Sequence, residues 1–97
     1  MSLYVGAVHF DGDPDDLLPA YHRLLEQFGL ESLPLHICLR RPDGLTVLDA
    51  CPTAQIYDEF IHGGFFRSAV AAAGLPEFRV EPLGDVHLAH LAQEVPA

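Results

Sequence analysis

The stretch that decides the fold is LHICLRRPDGLTVLDAC, residues 35–51. Two apolar runs flank Arg41–Gly44, and an Asp-Gly pair between apolar runs is a strong signal for a β-hairpin. A two-residue turn at Asp43-Gly44 pairs His36 with Cys51, and a three-residue loop is the other plausible register. In either register the stretch predicts two antiparallel strands in the middle of the chain.

The elements on either side of this hairpin complete a recognisable order. An apolar run at residues 3–10 and another that ends near residue 91 predict the first and the last strand. Amphipathic stretches at residues 13–28 and 53–73 predict the helices. The order βαββαβ is that of the ferredoxin-like split. It predicts an α+β fold with a four-stranded antiparallel sheet in spatial order 4-1-3-2, because crossovers are right-handed, and with both helices on one face.

The ends of both helices are well marked in the sequence. Asp13 is placed to cap the first helix, and Pro14 occupies its first position, where the missing N–H costs nothing. Thr53 is placed to cap the second helix. His62-Gly63-Gly64 predicts a break in the second helix, which should end at Gly74.

Composition narrows the class of protein. A length of 97 residues predicts a single domain over residues 1–97. The net charge is −9, with five arginines and no lysine, and such a surface repels nucleic acid and anionic membranes. No apolar run approaches the roughly 18 to 20 residues of a membrane helix. The N-terminus lacks a basic signal-peptide region, and we therefore expect a cytoplasmic protein.

The sequence carries no familiar ligand motif. The acidic string at residues 11–16 does not fit a calcium loop, because its sixth position is Asp16 rather than Gly, and helix capping explains it better. Cys38 and Cys51 are expected to be buried thiols rather than a disulfide. No closely spaced pair of histidines anchors a metal site. We expect neither a metal nor a cofactor.

Alternation along the strands assigns side chains to the two sheet faces. On the hairpin, we expect the helices to cover the apolar positions and to leave the polar positions open. The polar side chains that would then share the uncovered face are His9, His36, Arg40, Asp49 and His87. That face also carries small apolar residues, so the sequence predicts that something covers it.

Residues 57–66, YDEFIHGGFF, place aromatic residues around a His and a Gly pair at the helix break. This stretch and the element order resemble the dimeric α+β barrel superfamily, in particular its branch of antibiotic-biosynthesis monooxygenases. The resemblance covers about residues 3–91. Members of this superfamily pack two sheets face to face across a twofold axis. The resemblance thus implies a homodimer, in which a second copy covers the open face, and a thin margin of stability at this chain length favours the same assembly.

The resemblance also suggests where a site would lie. It places a motif histidine at His62, while the absence of Trp and Asn leaves the family's Asn- and Trp-based catalytic sets without a counterpart. The remaining acid–base candidates are His62, His36 and His9, since histidine titrates near neutral pH. Side chains that we expect to bind a substrate are Arg40, Asp49, Tyr57, Phe65 and Phe66.

Two classes of function follow. The first is a small enzyme that acts on an aromatic or polyketide-like metabolite by proton transfer or by cofactor-free, monooxygenase-like oxidation. The alternative is a non-catalytic dimeric module that binds a ligand or a protein partner. An enzyme needs an apolar cavity with a few convergent polar groups, whereas a structural module has that volume filled by side chains.

Overall fold

A computed structural model describes residues 2–96 of the chain. Within this range the elements are β1 (Tyr4–Asp11), α1 (Pro14–Leu25), a 3-10 turn (Leu30–Ser32), β2 (His36–Arg41), β3 (Gly44–Cys51), α2 (Ala54–Ile61), α3 (Gly64–Ala73) and β4 (Phe78–Asp85). No helix in the described part of the chain is long and apolar enough to cross a bilayer.

The strands form a four-stranded antiparallel sheet in the order β2-β3-β1-β4. This is the predicted order 4-1-3-2 read from the opposite edge. β1 lies inside the sheet and pairs with β3 and with β4 along its length. The ferredoxin-like α+β prediction is therefore confirmed, with the second helix divided into α2 and α3.

Both helical stretches begin where the sequence signals them and the second also ends there, whereas α1 ends at Leu25, three residues before the predicted end at residue 28. The Asp13 carboxylate accepts a hydrogen bond from the backbone N–H of Asp15 at 2.9 Å, and the Thr53 hydroxyl accepts one from Ile56. α2 ends at Ile61, and Gly63 is the N-cap of α3. α3 ends at Ala73 and is capped by Gly74, whose φ of 90° is a left-handed conformation that favours glycine.

The predicted hairpin register is wrong by two residues. The loop is Pro42-Asp43, and His36 pairs with Asp49 rather than with Cys51. Gly44 is already part of β3, where it pairs with Asp11 of β1. A Cβ at Gly44 would lie 2.1 Å from the Phe10 carbonyl oxygen, so this glycine is required by close strand contact rather than by a turn.

The predicted face assignment of the hairpin is also wrong. The side chains of β2 and β3 that face the helices are His36, Cys38, Arg40, Leu45, Val47, Asp49 and Cys51. The opposite face carries Val5, Ala7, Ile37, Leu39, Leu48 and Ala50; we call this set the open face. Alternation could not show which face of the hairpin the helices cover, because β3 is apolar on both sides. The polar side chains of His36 and Arg40 lie on the covered face because their hydrogen-bond partners are on α1.

The core lies between the helix-covered face and the helices. Val8 and Phe10 of β1 and Leu45 and Val47 of β3 pack there against buried side chains of the helices, which are Leu17, Ala20, Tyr21, Leu24, Tyr57, Ile61, Phe66, Ala69, Val70 and Ala73. Burial of these apolar side chains supplies the main driving force for packing the helices on the sheet.

Tyr57 lies directly over Gly6, and this contact sets how closely α2 approaches β1. A Cβ at Gly6 would lie 2.3 Å from Cζ of the Tyr57 ring. The ring is 2% exposed and makes an edge contact with Tyr4 at a centroid distance of 5.7 Å. No room remains for a larger residue at position 6.

We predict that Gly6→Ala lowers the free energy of unfolding by about 1–3 kcal/mol, because the added methyl group overpacks against the Tyr57 ring. Urea unfolding followed by circular dichroism measures this change. Gly64→Ala is the matched control, since a Cβ there meets nothing within 4 Å and alanine is the better helix former. Equal stability of Gly6→Ala and wild type would contradict the packing described here.

Candidate functional site

A pocket of about 130 Å³ lies between the helix-covered sheet face and the helices. Its walls are mostly apolar and come from the end of α1, the segment before β2, and α2 with the start of α3. The apolar lining includes Val8, Phe10, Leu24, Leu25, Phe28, Leu33, Val47, Phe60, Ile61 and Phe66. Its polar lining includes Tyr21, His36, Asp49, Cys51 and Tyr57. An apolar cavity with a few convergent polar groups is the usual form of a small-molecule site.

Three of these polar groups form a hydrogen-bonded chain. His36 Nδ1 lies 2.5 Å from Asp49 Oδ1, and His36 Nε2 lies 2.5 Å from the Tyr21 hydroxyl. An ionised carboxylate only accepts hydrogen bonds, so neutral His36 carries its proton on Nδ1 and donates it to Asp49. Nε2 is then the acceptor for the Tyr21 hydroxyl proton. We call this chain the Tyr21–His36–Asp49 relay.

The fold holds the relay in a fixed geometry. Tyr21 belongs to the buried stripe of α1, and its ring lies edge to edge with the His36 imidazole, with 3° between the ring planes and 6.0 Å between centroids. His36 and Asp49 are directly opposite each other on β2 and β3. Their side chains are only 14% and 19% exposed. Backbone pairing and burial thus fix each of the three groups before any ligand arrives.

The environment keeps the neighbouring hydroxyls and thiols protonated. Burial raises the pKa of Tyr21 and of Tyr57 above the usual value of 10.0, and the Asp49 carboxylate raises both further. Burial likewise raises the pKa of the Cys38 and Cys51 thiols, again with a contribution from Asp49. These thiols are therefore poor nucleophiles at neutral pH.

Two of the predicted histidines lie away from this pocket. His9 is on the sheet face opposite His36, where its ring nitrogens contact Thr46 and Glu81 at 2.9 and 2.8 Å. His62 is the C-cap of α2 and borders a separate open groove of about 550 Å³ between α3 and β4. The predicted convergence of His9 and His36 on the uncovered face is wrong, because the helices cover the His36 face.

The other residues predicted for the site also divide into those that line the pocket and those that lie outside it. Asp49, Tyr57 and Phe66 line the pocket. Arg40 points from the end of β2 toward α1 and pairs with Asp15 at 2.6 Å, outside the pocket lining. Phe65 is 69% exposed. His87 lies beyond the end of β4 and is exposed, so the sequence-based cluster does not form around it.

Tyr21 is the member of the relay that sequence reasoning missed as a functional group. It stands in the apolar stripe of α1 and lies in the core, so its position in the sequence marks it as a packing residue. The available signal was chemical: a tyrosine hydroxyl on a buried stripe needs a hydrogen-bond partner, and His36 is a polar residue on a strand that packs beneath that helix. Among residues 2–96, no group of three or more His, Cys, Asp or Glu side chains is arranged to hold a metal ion.

Comparison with known proteins gives a structural likeness and no sequence family. A scan against protein-family models matches no family, and a search of curated proteins finds no match. Among solved structures, the chain is similar to SnoaB, a cofactor-independent oxygenase from Streptomyces nogalater, with 14% identity and a TM-score of 0.51. A mutant of the same oxygenase gives 13% identity and a TM-score of 0.52. Both alignments cover 96% of this chain and 97% of the other.

This likeness confirms the predicted fold. Element order, sheet order and the alignment over nearly the whole length agree with the ferredoxin-like α+β fold that the sequence predicts. At these identities the comparison concerns architecture, and the chemistry of the pocket has to be argued from its own residues.

We predict that stability falls above pH 10 because of the buried tyrosines. In the unfolded chain tyrosine ionises near pH 10, whereas folded Tyr21 and Tyr57 keep their protons, so the free energy of unfolding decreases as pH rises toward the folded pKa values. Each buried tyrosine contributes at most about 1.4 kcal/mol per pH unit. Urea unfolding between pH 7 and pH 11 measures the slope.

The variants Tyr57→Phe and Tyr21→Phe should each make this slope shallower. Each variant is compared with wild type over the same pH series, so that the thiols, which also titrate there, contribute equally. Superimposable slopes for wild type and both variants would contradict the burial of the two hydroxyls.

Proposed function

We propose that the protein is an acid–base enzyme that acts on a small aromatic metabolite bound in the pocket between the helices and the sheet. The observation that carries this proposal is the Tyr21–His36–Asp49 relay on the wall of an apolar cavity. A histidine oriented by a carboxylate and hydrogen-bonded to a hydroxyl is the arrangement by which proteins move protons at neutral pH.

Each member of the relay has a distinct role in this proposal. Asp49 fixes the tautomer of His36 and stabilises the imidazolium that forms when His36 accepts a proton. Tyr21 and His36 both line the pocket, and the Tyr21 hydroxyl is hydrogen-bonded to His36 Nε2. It passes its own proton to Nε2 while its oxygen takes one from the ligand. Tyr21 thus ends neutral, in keeping with its raised pKa.

Proton removal of this kind is the first step of an oxidation that needs no cofactor. A deprotonated activated methylene carbon donates an electron pair to O₂ and forms a peroxide. Proton return from His36 and loss of water from the peroxide then leave a carbonyl, so that R₂CH₂ and O₂ give R₂CO and H₂O. The similarity in fold to a cofactor-independent oxygenase supports this version of the proposal.

The size of the pocket limits what lies inside it. A dry cavity of about 150 Å³ is known to hold benzene, so a pocket of about 130 Å³ accommodates one aromatic ring. The segment at residues 29–33 and the half-exposed Phe60 border the same pocket. A larger substrate would place one ring beside the relay and the rest at this border.

The second candidate is a non-catalytic binding module, and one observation favours it. Both ring nitrogens of His36 already have partners, Asp49 and Tyr21, so the relay also satisfies three buried polar groups without any ligand. In this version the pocket binds a ring and performs no chemistry.

Deuterium exchange separates the two candidates. The probe is 2-indanone, a single aromatic ring with a carbonyl-activated methylene, and NMR in D₂O follows the exchange while an oxygen electrode follows O₂ uptake. We predict that wild type accelerates exchange and that His36→Gln lowers this rate by about 10²- to 10⁴-fold. The control His62→Gln should retain the wild-type rate, because His62 borders the other groove.

Three outcomes of this experiment are informative. Exchange with O₂ uptake supports the oxygenase version, and exchange alone supports proton transfer. Binding of 2-indanone in the pocket, with exchange at the solvent rate, overturns the enzyme and leaves the binding module.

We also propose that two copies of the chain pack through the open face. This face has an apolar centre at Ala7, Ile37 and Leu48, and polar side chains that include His9 and Arg41 lie toward one end of it. An apolar patch with a polar rim is the usual anatomy of a protein interface. Leu39, on an edge strand, is 45% exposed in the single chain. Burying such side chains against a second copy would remove them from water.

We predict that light scattering at micromolar concentration gives a mass of twice 10.6 kDa for wild type. Leu39→Asp should weaken association by at least about 100-fold, because it buries an unpaired carboxylate in the interface. Ile56→Asp is the control, since Ile56 is 46% exposed on α2, in the helical layer. A wild-type mass of 10.6 kDa would overturn the dimer.

A further inference from the structure

The hydroxyl of Tyr57 has no hydrogen-bond partner. Among residues 2–96 it is the only buried side-chain nitrogen or oxygen atom in this condition, and the residue is 2% exposed. Buried polar groups in proteins are nearly always paired, because an unpaired hydroxyl loses its hydrogen bonds to water without replacement. A phenylalanine would fill the same space without this cost.

The position of this hydroxyl is fixed by the sheet beneath it. Its oxygen lies over Gly6, 2.7 Å from where a Cβ would be, and Gly6 is the cross-strand partner of Asp49. Tyr57 and Asp49 both line the pocket. The unpaired O–H therefore lies at the sheet surface near Asp49, on a residue that borders the pocket, and a ligand oxygen reaches it by a small shift of the Tyr57 ring.

The neighbouring groups define the kind of ligand that can reach Tyr57. The walls accept an apolar ring, and the phenol O–H is a donor that calls for an acceptor oxygen. Asp49 disfavours a second negative charge close by, as does the net charge of −9. A carboxylate is thus a poor ligand, whereas a neutral phenol or aryl ketone combines an apolar body with the required oxygen.

We infer that Tyr57 is a specificity-determining residue, which donates a hydrogen bond to a hydroxyl or carbonyl oxygen of a neutral single-ring ligand. The pocket thereby selects oxygenated rings over hydrocarbons of the same size. This inference deepens the proposed function, since it rests on the same pocket. Tyr57 orients the ring through one oxygen, while the Tyr21–His36–Asp49 relay moves the proton.

The test is a comparison of phenol with toluene, two rings of similar size, on wild type and Tyr57→Phe. Dissociation constants come from NMR titration, with chemical-shift changes at pocket residues as proof of location. We expect Tyr57→Phe to weaken phenol binding by about 5- to 10-fold, as for loss of one buried hydrogen bond. Toluene binding should stay the same or tighten. Benzoate, the anionic control, should bind wild type at least 10-fold more weakly than phenol.

The outcomes keep this inference separate from the proposed function. If phenol and toluene both bind in the pocket and Tyr57→Phe changes them equally, Tyr57 has no role in selection and the inference fails, whatever the exchange experiment gives. If His36→Gln abolishes exchange while the phenol preference still depends on Tyr57, both proposals stand. If no ring enters the pocket of a folded wild-type protein, both fail together.

Discussion

The hydrogen bonds of His36 to Asp49 and Tyr21 are the constraint on which the arrangement of the molecule depends. They join β2, β3 and α1 through side chains that are mostly buried. If the opposite face of the hairpin were turned toward the helices, His36 and Asp49 of the relay would be exposed, and Ile37 and Leu39 would be buried beneath α1 instead. The polar contacts thus select one of two apolar faces for the helices, and the same choice leaves the other apolar face open.

The close contact of Tyr57 with Gly6 determines where the Tyr57 hydroxyl lies on the sheet surface. The missing side chain at Gly6 lets the Tyr57 ring lie against β1, which brings its hydroxyl beside Asp49. Asp49 consequently stands near two tyrosines and a histidine, and its charge helps to raise the pKa of both tyrosines. A single carboxylate in a small apolar cavity can orient one group and keep its neighbours protonated, which a solvated carboxylate cannot do.

Several charged residues outside the pocket form ion pairs and hydrogen bonds at the ends of the strands. Arg79 forms two hydrogen bonds with Asp11, which lowers the pKa of that carboxyl, and Arg41 bridges Asp43 and the Thr46 hydroxyl. Arg40 likewise pairs with Asp15 at the start of α1. These contacts tie strand ends and the hairpin together at the surface, where each ion pair contributes little. Arg40, which the sequence predicts as a substrate-binding residue, is thus already engaged by Asp15.

The sequence by itself determined the order of elements and the sheet order. It also determined the caps at Asp13, Thr53 and Gly74 and the break at His62-Gly63. These features follow from the sequence because capping, turn chemistry and crossover handedness are local or topological rules. The sequence did not determine the hairpin register, since the Asp43-Gly44 pair predicts a turn that does not form, and Gly44 instead lies in β3 against the backbone of Phe10. Nor did it determine the covered face, because the hairpin is apolar on both sides and a tyrosine on α1 had to be brought against His36 to decide it. About half of the candidate site could therefore be predicted. The sequence analysis names four residues that line the pocket, which are His36, Asp49, Tyr57 and Phe66. Tertiary packing alone decided that they assemble with Tyr21 and that His9 and His62 lie elsewhere.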